Sequence, residues 1–89
     1  MGSDAPYRIE LAPSACGDLR KLPDGVKRRI APKIDALALN PRPPGVKQIR
    51  GGDGALRIRV GDYRVIYDVD DADRGVLVRY IRHRREAYR

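Results

Sequence analysis

Hydrophobic and polar residues alternate over residues 7–11, YRIEL, so Tyr7, Ile9 and Leu11 share one face of a first strand. The period then lengthens. Pro13-Ser14 offers a helix start, and Ala15, Leu19 and Leu22 recur at helical spacing up to the Leu22-Pro23 junction. A second helix follows, with Asp24 as its expected N-cap and Val26, Ile30, Ile34 and Leu37 as its buried stripe. Lys27, Arg28, Arg29 and Lys33 occupy its polar face. Pro32 interrupts this pattern: an interior proline removes one backbone hydrogen bond and costs about 3 kcal/mol, which predicts a kink or a break there. Asn40-Pro41 ends the helix, because a residue before proline avoids the helical region, and PRPPG then reads as an extended loop.

Alternation returns over residues 56–60 and 63–69, joined by Gly61-Asp62, a two-residue hairpin signal. The acidic DVDDAD stretch turns the chain into a last strand over residues 75–81. The pattern predicts an α+β fold: an N-terminal strand, a two-helix hairpin, then a three-stranded antiparallel meander. At 89 residues the chain holds one domain, assigned to residues 7–89 behind a flexible N-terminus at 1–6.

The hairpin fixes a register. With Gly61-Asp62 as the loop, Val60 opposes Tyr63, Arg59 opposes Arg64, and Ile58 opposes Val65. Opposed residues share a face, so Arg59 and Arg64 point the same way, with Arg57 two positions along. The other face collects Leu56, Ile58, Val60, Tyr63, Val65 and Tyr67, an apolar layer for the helices to cover. Like charges placed opposite one another cost about 0.2–1 kcal/mol, a conflict best tolerated where an anion supplies the countercharge.

Composition sharpens that reading. The net charge is +7, which favours a polyanion or an acidic protein partner. Phe and Trp are absent, so Leu, Ile, Val and the Tyr rings must build the core. The single cysteine, Cys16, excludes an internal disulfide and fits a reducing cytosol, so a cytoplasmic location is expected. No apolar run approaches the roughly 20 residues of a membrane span, and no signal peptide is evident. No ligand cluster suggests a metal, and no small-molecule cofactor is expected.

The block Arg57-Ile58-Arg59-Val60-Gly61-Asp62-Tyr63-Arg64-Val65-Ile66-Tyr67, followed by His83-Arg84-Arg85-Glu86-Ala87-Tyr88, resembles the RelE branch of the RelE/ParE toxin superfamily. Lys21-Leu22-Pro23 and Asn40-Pro41-Arg42-Pro43 extend the resemblance over nearly the whole chain. It implies a reduced microbial-ribonuclease-like fold and a toxin of a type II toxin–antitoxin pair. Such a toxin enters the ribosomal A site and cuts the messenger by attack of the RNA's own 2′-hydroxyl. Carried over by position, the resemblance assigns catalysis to Arg64, Arg84, Tyr88 and His83, and phosphate contact to Arg57 and Arg59. Arg82 and Arg85 flank the motif and are expected to contact RNA through charge. The chain departs from the best-studied members in two places. Its pre-hairpin pair is arginine, not lysine, and Arg82 stands where a glycine commonly precedes the His83-Arg84 pair.

Cleavage of this kind needs a base, an acid and cations around the developing phosphorane. Arginine keeps its proton and so clamps phosphate, often bidentately. Proton transfer is therefore expected from Tyr88, from His83, or from the ribosome and RNA. Neighbouring cations favour phenolate on the first and neutral imidazole on the second. His83 reads equally well as a stacking or phosphate-contacting residue. Two other functions fit the same composition: a ParE-like inhibitor of DNA gyrase without nuclease activity, and a catalytically silent basic RNA-binding module. Either toxin reading implies a cognate acidic antitoxin, partly disordered and ordering on the basic surface.

Overall fold

The structure, a computed structural model, describes residues 6–49 and 54–85. In chain order the elements are β1 (Arg8–Leu11), α1 (Pro13–Lys21), α2 (Asp24–Ala36), β2 (Lys47–Gln48), β3 (Leu56–Val60), β4 (Tyr63–Asp70) and β5 (Gly75–His83). The strands form one sheet in the order β1-β5-β4-β3-β2. The meander β3-β4-β5 is antiparallel, as its hairpin chemistry requires, and β3 pairs β4 in the expected register through Val60–Tyr63, Arg59–Arg64 and Ile58–Val65. Two features add to the expected topology. β1 lies parallel to β5, which makes the sheet mixed, and the two-residue strand β2 lines the outer edge of β3.

The helices cover one face of the sheet, α1 over β5 and β1, α2 over β3. Ile30, Ile34 and Leu37 of the expected stripe are buried in one cluster with Ile58, Val65, Tyr67 and Val78, and Val26 packs at its margin. Asp24 does not cap α2. Pro23 holds the cap position, its carbonyl accepting from the N–H groups of Val26 and Lys27 at 3.0 Å, and Asp24 begins the first turn. A carboxylate there still complements the positive end of the helix.

The break expected at Pro32 does not occur, since α2 runs continuously from Asp24 to Ala36. The stripe on either side, Ile30 and Ile34, is held in the core, and that packing outweighs the lost hydrogen bond. Pro32 itself is exposed. Replacing it removes no core contact and restores the bond to the carbonyl of Arg28. Pro32→Ala should therefore raise stability by about 1–2 kcal/mol, after the loss of proline's restriction of the unfolded chain is deducted. Urea denaturation would show this, and an unchanged or lowered midpoint would contradict it.

The end of the sheet far from the hairpin is pinned by polar contacts. The Tyr67 hydroxyl donates to the Pro41 carbonyl at 2.6 Å in the interior, anchoring the proline-rich loop. The Tyr7 hydroxyl donates to Asp71 at 2.7 Å, and Arg42 donates to both Asp71 oxygens at 3.1 and 3.0 Å. Arg42 above all, then Tyr7, holds the Asp71 carboxyl below the usual carboxylate range.

One irregularity decides what lies on each face. Ile66 opposes Tyr80 but Tyr67 opposes Val78, so Arg79 is an extra residue bulging from β5. Before the bulge Val76 and Val78 face the helices; after it Ile81 does, three positions on instead of two.

Candidate functional site

The uncovered face of the sheet carries two adjacent cross-strand rows. The first runs Arg59, Arg64 and Arg82 across β3, β4 and β5. The second runs Lys47, Arg57, Ile66 and Tyr80 across β2 to β5. Arg64 sits in the middle of its row and is only 3% exposed, although it lies on the face without helices. Ile66 beside it is also buried and stands apart from the main core cluster. β4 is the central strand, and long side chains on both neighbours flank it. Hydrophobic alternation correctly assigned this face but gave no sign that its middle would be buried.

The other candidate residues separate into distinct settings. Arg57 is half-buried and Arg59 exposed. Arg82 is pinned by Asp18 of α1, whose Oδ2 also accepts the Ile81 N–H at 2.9 Å, and its guanidinium stacks on Tyr80 at 4.7 Å from the ring centre. β1 pairs only the first part of β5, up to Val78, and Asp18 satisfies the edge beyond it. Arg82 was expected to contact RNA through charge; here a carboxylate already partners it. Asp18 lies 64 residues away in sequence, and nothing local signals this contact. Arg84 is exposed, its backbone N–H bonded to the Asp62 carbonyl at 2.7 Å and its guanidinium 4.0 Å from the Asp62 carboxylate. It therefore closes the hairpin end of the sheet.

The bulge places His83 on the opposite face from the arginine row. It pairs with Tyr63 across β4, the two rings meeting edge to face at 5.1 Å and 86°. Its Nδ1 accepts the Arg85 N–H at 3.3 Å. The structure thus does not bring His83 together with Arg57, Arg59 and Arg64. Tyr88 lies outside the described residues. Lys47, which the sequence did not single out, joins the arginines by pairing with Arg57; its only sequence signal is a basic residue just after the proline-rich loop.

At the β3 edge a cavity of about 590 Å³ opens between α2 and the proline-rich loop, with Lys33, Lys47, Arg57 and Arg59 around an apolar floor that includes Leu37 and Ile58. Among the described helices, none is long and apolar enough to cross a membrane. The chemistry the open face offers is anion binding: rigid strands set Arg57, Arg59 and Arg64 side by side, and guanidinium groups can hold phosphate oxygens bidentately.

Comparison with known proteins bears on the fold and the family. The family model described as the ParE toxin of the type II toxin–antitoxin system parDE matches residues 9–88. The toxin RelE of Mycobacterium tuberculosis is 31% identical over 90 residues, covering 100% of this chain and 93% of that protein. Among solved structures, the archaeal RelE–RelB complex from Pyrococcus horikoshii superposes with a TM-score of 0.78 at 30% identity, over 89% of this chain and 96% of its counterpart. The RelB–RelE antitoxin–toxin complex from Methanococcus jannaschii gives 0.71 at 28% identity, over 89% and 94%.

Proposed function

The chain belongs to the ParE toxin family of type II toxin–antitoxin systems, in its RelE branch, and from that membership we propose that it is a ribosome-dependent messenger endonuclease. The observation that carries this reading is the cationic face, in which Arg59 and Arg64 sit directly opposite one another with Arg57 and Lys47 in the next row. A binding surface for a folded protein would have less use for like charges forced together on a rigid sheet than would a site for a phosphodiester.

In the proposed reaction the messenger's 2′-oxygen attacks the adjacent phosphorus and the bond to the 5′-oxygen breaks, leaving a 2′,3′-cyclic phosphate. Arg57, Arg59 and Arg64 hold the phosphate and stabilise the added charge, and Arg84 closes on it from the hairpin end. One proton leaves the 2′-hydroxyl and another reaches the departing 5′-oxygen. Tyr88 is assigned to this transfer, since His83 faces the other side of the sheet. The proposed partners are the ribosomal A site with its messenger and a cognate acidic antitoxin. The RelE relatives solved in complex with RelB support the antitoxin.

The test adds purified protein to programmed ribosomes and maps messenger 5′ ends, with naked RNA in parallel. Codon-phased cuts only on ribosomes are expected. Absence of cuts by folded protein, with inhibition of gyrase supercoiling instead, would transfer the chain to the gyrase-poisoning function.

A further inference from the structure

The Arg82 guanidinium is held from two sides. Its Nη1 donates to Asp18 Oδ2 and to the Ile81 carbonyl at 3.2 Å, and one of its faces lies on the Tyr80 ring at 4.7 Å from the ring centre. We propose that Asp18 is a positioning residue for phosphate binding: together with Tyr80 it aims the remaining edge of Arg82, Nε–H beside Nη2–H, at an RNA phosphate in the row of Arg59 and Arg64. The proposal rests on the reading of the protein as an RNA-directed toxin, and it adds a carboxylate that works through an arginine.

Three observations carry it. First, Arg82 stands directly across from Arg64, which in turn opposes Arg59, so it extends that row by one strand. Asp18 reaches it because β1 stops pairing at Val78 and α1 packs on β5. Asp18 follows the buried Ala15 by three residues and so shares its face of the helix. Second, the hold engages Nη1 alone. Among the described residues nothing engages Nε or Nη2, and these two nitrogens form the edge that grips two phosphate oxygens side by side. The Arg82 side chain is 36% exposed, so a strand can reach it without opening the fold.

Third, the choice of residue conflicts with a purely structural role. Asp18 Oδ2 also accepts the Ile81 N–H at 2.9 Å, a task that a neutral acceptor would do as well. A carboxylate beside a row of phosphate-binding cations weakens anion binding through its charge. Such a conflict is best tolerated where the group serves the site, here by ordering a long, flexible side chain before its ligand arrives.

The two roles predict opposite signs. If Asp18 only closes the sheet edge, Asp18→Ala removes a repelling charge and tightens RNA binding. As a positioning residue, its loss should weaken binding about five- to tenfold. Asp18→Asn keeps an oxygen acceptor for Arg82 and Ile81, and should stay within about twofold of wild type. Arg82→Ala should itself bind about tenfold more weakly, and adding Asp18→Ala to it should change nothing further. Both single alanine variants should lower the slope of log affinity against log salt by about 0.7, the mark of one lost phosphate contact.

The experiment uses the full protein and a short single-stranded RNA, 2′-O-methylated throughout so that it cannot be cut. Urea denaturation first establishes that each variant folds. Should Asp18→Ala not fold, Tyr80→Leu removes the ring from the guanidinium and leaves the Ile81 bond to Asp18 in place. It should weaken binding about threefold, and only where Arg82 is present.

Equal or tighter RNA binding by folded Asp18→Ala, a loss that persists in the Arg82→Ala background, or an unchanged salt slope would overturn the proposal. So would a polyglutamate peptide whose binding depends on Asp18 where that of RNA does not, which would give the aimed edge to acidic protein. RNA binding indifferent to Asp18 removes this role alone. No RNA binding by wild type would remove the RNA-directed reading and this role with it. Asp18-dependent RNA binding without messenger cleavage on ribosomes would remove the nuclease reading alone.

Discussion

If the proposed reaction holds, Arg64→Ala is expected to lower ribosome-dependent cleavage by about 10²–10³-fold, the loss usual when one preorganised charge-stabilising donor is removed from a transition state. Arg64 should matter more than Arg57 or Arg59 because it is held in the centre of the sheet at 3% exposure, whereas its neighbours keep water around them. A cation taken out of water acts on a developing charge with less dielectric screening. Arg64→Lys retains the charge but loses the planar fork, and should fall between the two, roughly tenfold below wild type. Since Arg64 is buried, each variant is first compared with wild type by urea denaturation. A cooperatively folded Arg64→Ala protein that still cuts within twofold of wild type would remove Arg64 from the catalytic set.

Tyr67→Ala is expected to be the most destabilising single change in the described core, by about 3–5 kcal/mol, as for other large aromatics deleted from an interior. Tyr67 is fully buried in the main cluster and also tethers the proline-rich loop through Pro41. Tyr67→Phe keeps the ring and leaves the Pro41 carbonyl unsatisfied, for a loss of about 1–3 kcal/mol. The same residue sets an alkaline limit. Burial pushes the Tyr67 hydroxyl up to about 12 from its ordinary 10.0. Between those values the folded chain keeps a proton that the unfolded chain has released, so stability present below pH 10 falls as pH rises towards 12. The shift corresponds to about 2–3 kcal/mol. Denaturation midpoints measured across that window should drop more steeply for wild type than for Tyr67→Phe; parallel curves would show that Tyr67 does not set the limit.

Much of this architecture was legible before folding. The alternation in residues 56–60 and 63–69 around Gly61-Asp62 fixed the β3–β4 register, and with it the shared face of Arg57, Arg59 and Arg64. That inference needed only a two-residue turn and a period of two. The stripe Ile30, Ile34 and Leu37 likewise placed α2 on the sheet. The RelE resemblance of the hairpin block and tail gave the family, and the comparisons agree with it.

What escaped the sequence depended on contacts distant along the chain. Asp18 meets Ile81 and Arg82 because β1 stops pairing at Val78 and leaves the edge of β5 open, a fact no local pattern contains. The proline at position 32 looked like a helix breaker because propensity is local, whereas Ile30 and Ile34 are held by the sheet. The side of the sheet that His83 occupies was settled by the bulge at Arg79. A strict alternation from Val76 and Val78 would carry Tyr80 and Arg82 under the helices and leave His83 with the arginines. One inserted residue reverses that, burying Ile81 and pairing Arg82 with Arg64. The spacing of Val78 to Ile81, three positions in place of two, is the one trace of it in the sequence. The chain by itself thus determined which residue types converge, through periodicity and turn chemistry. Only the tertiary structure decided which face of the sheet Arg82 and His83 of β5 take, because a side chain's face depends on a register that a single unpaired residue can shift.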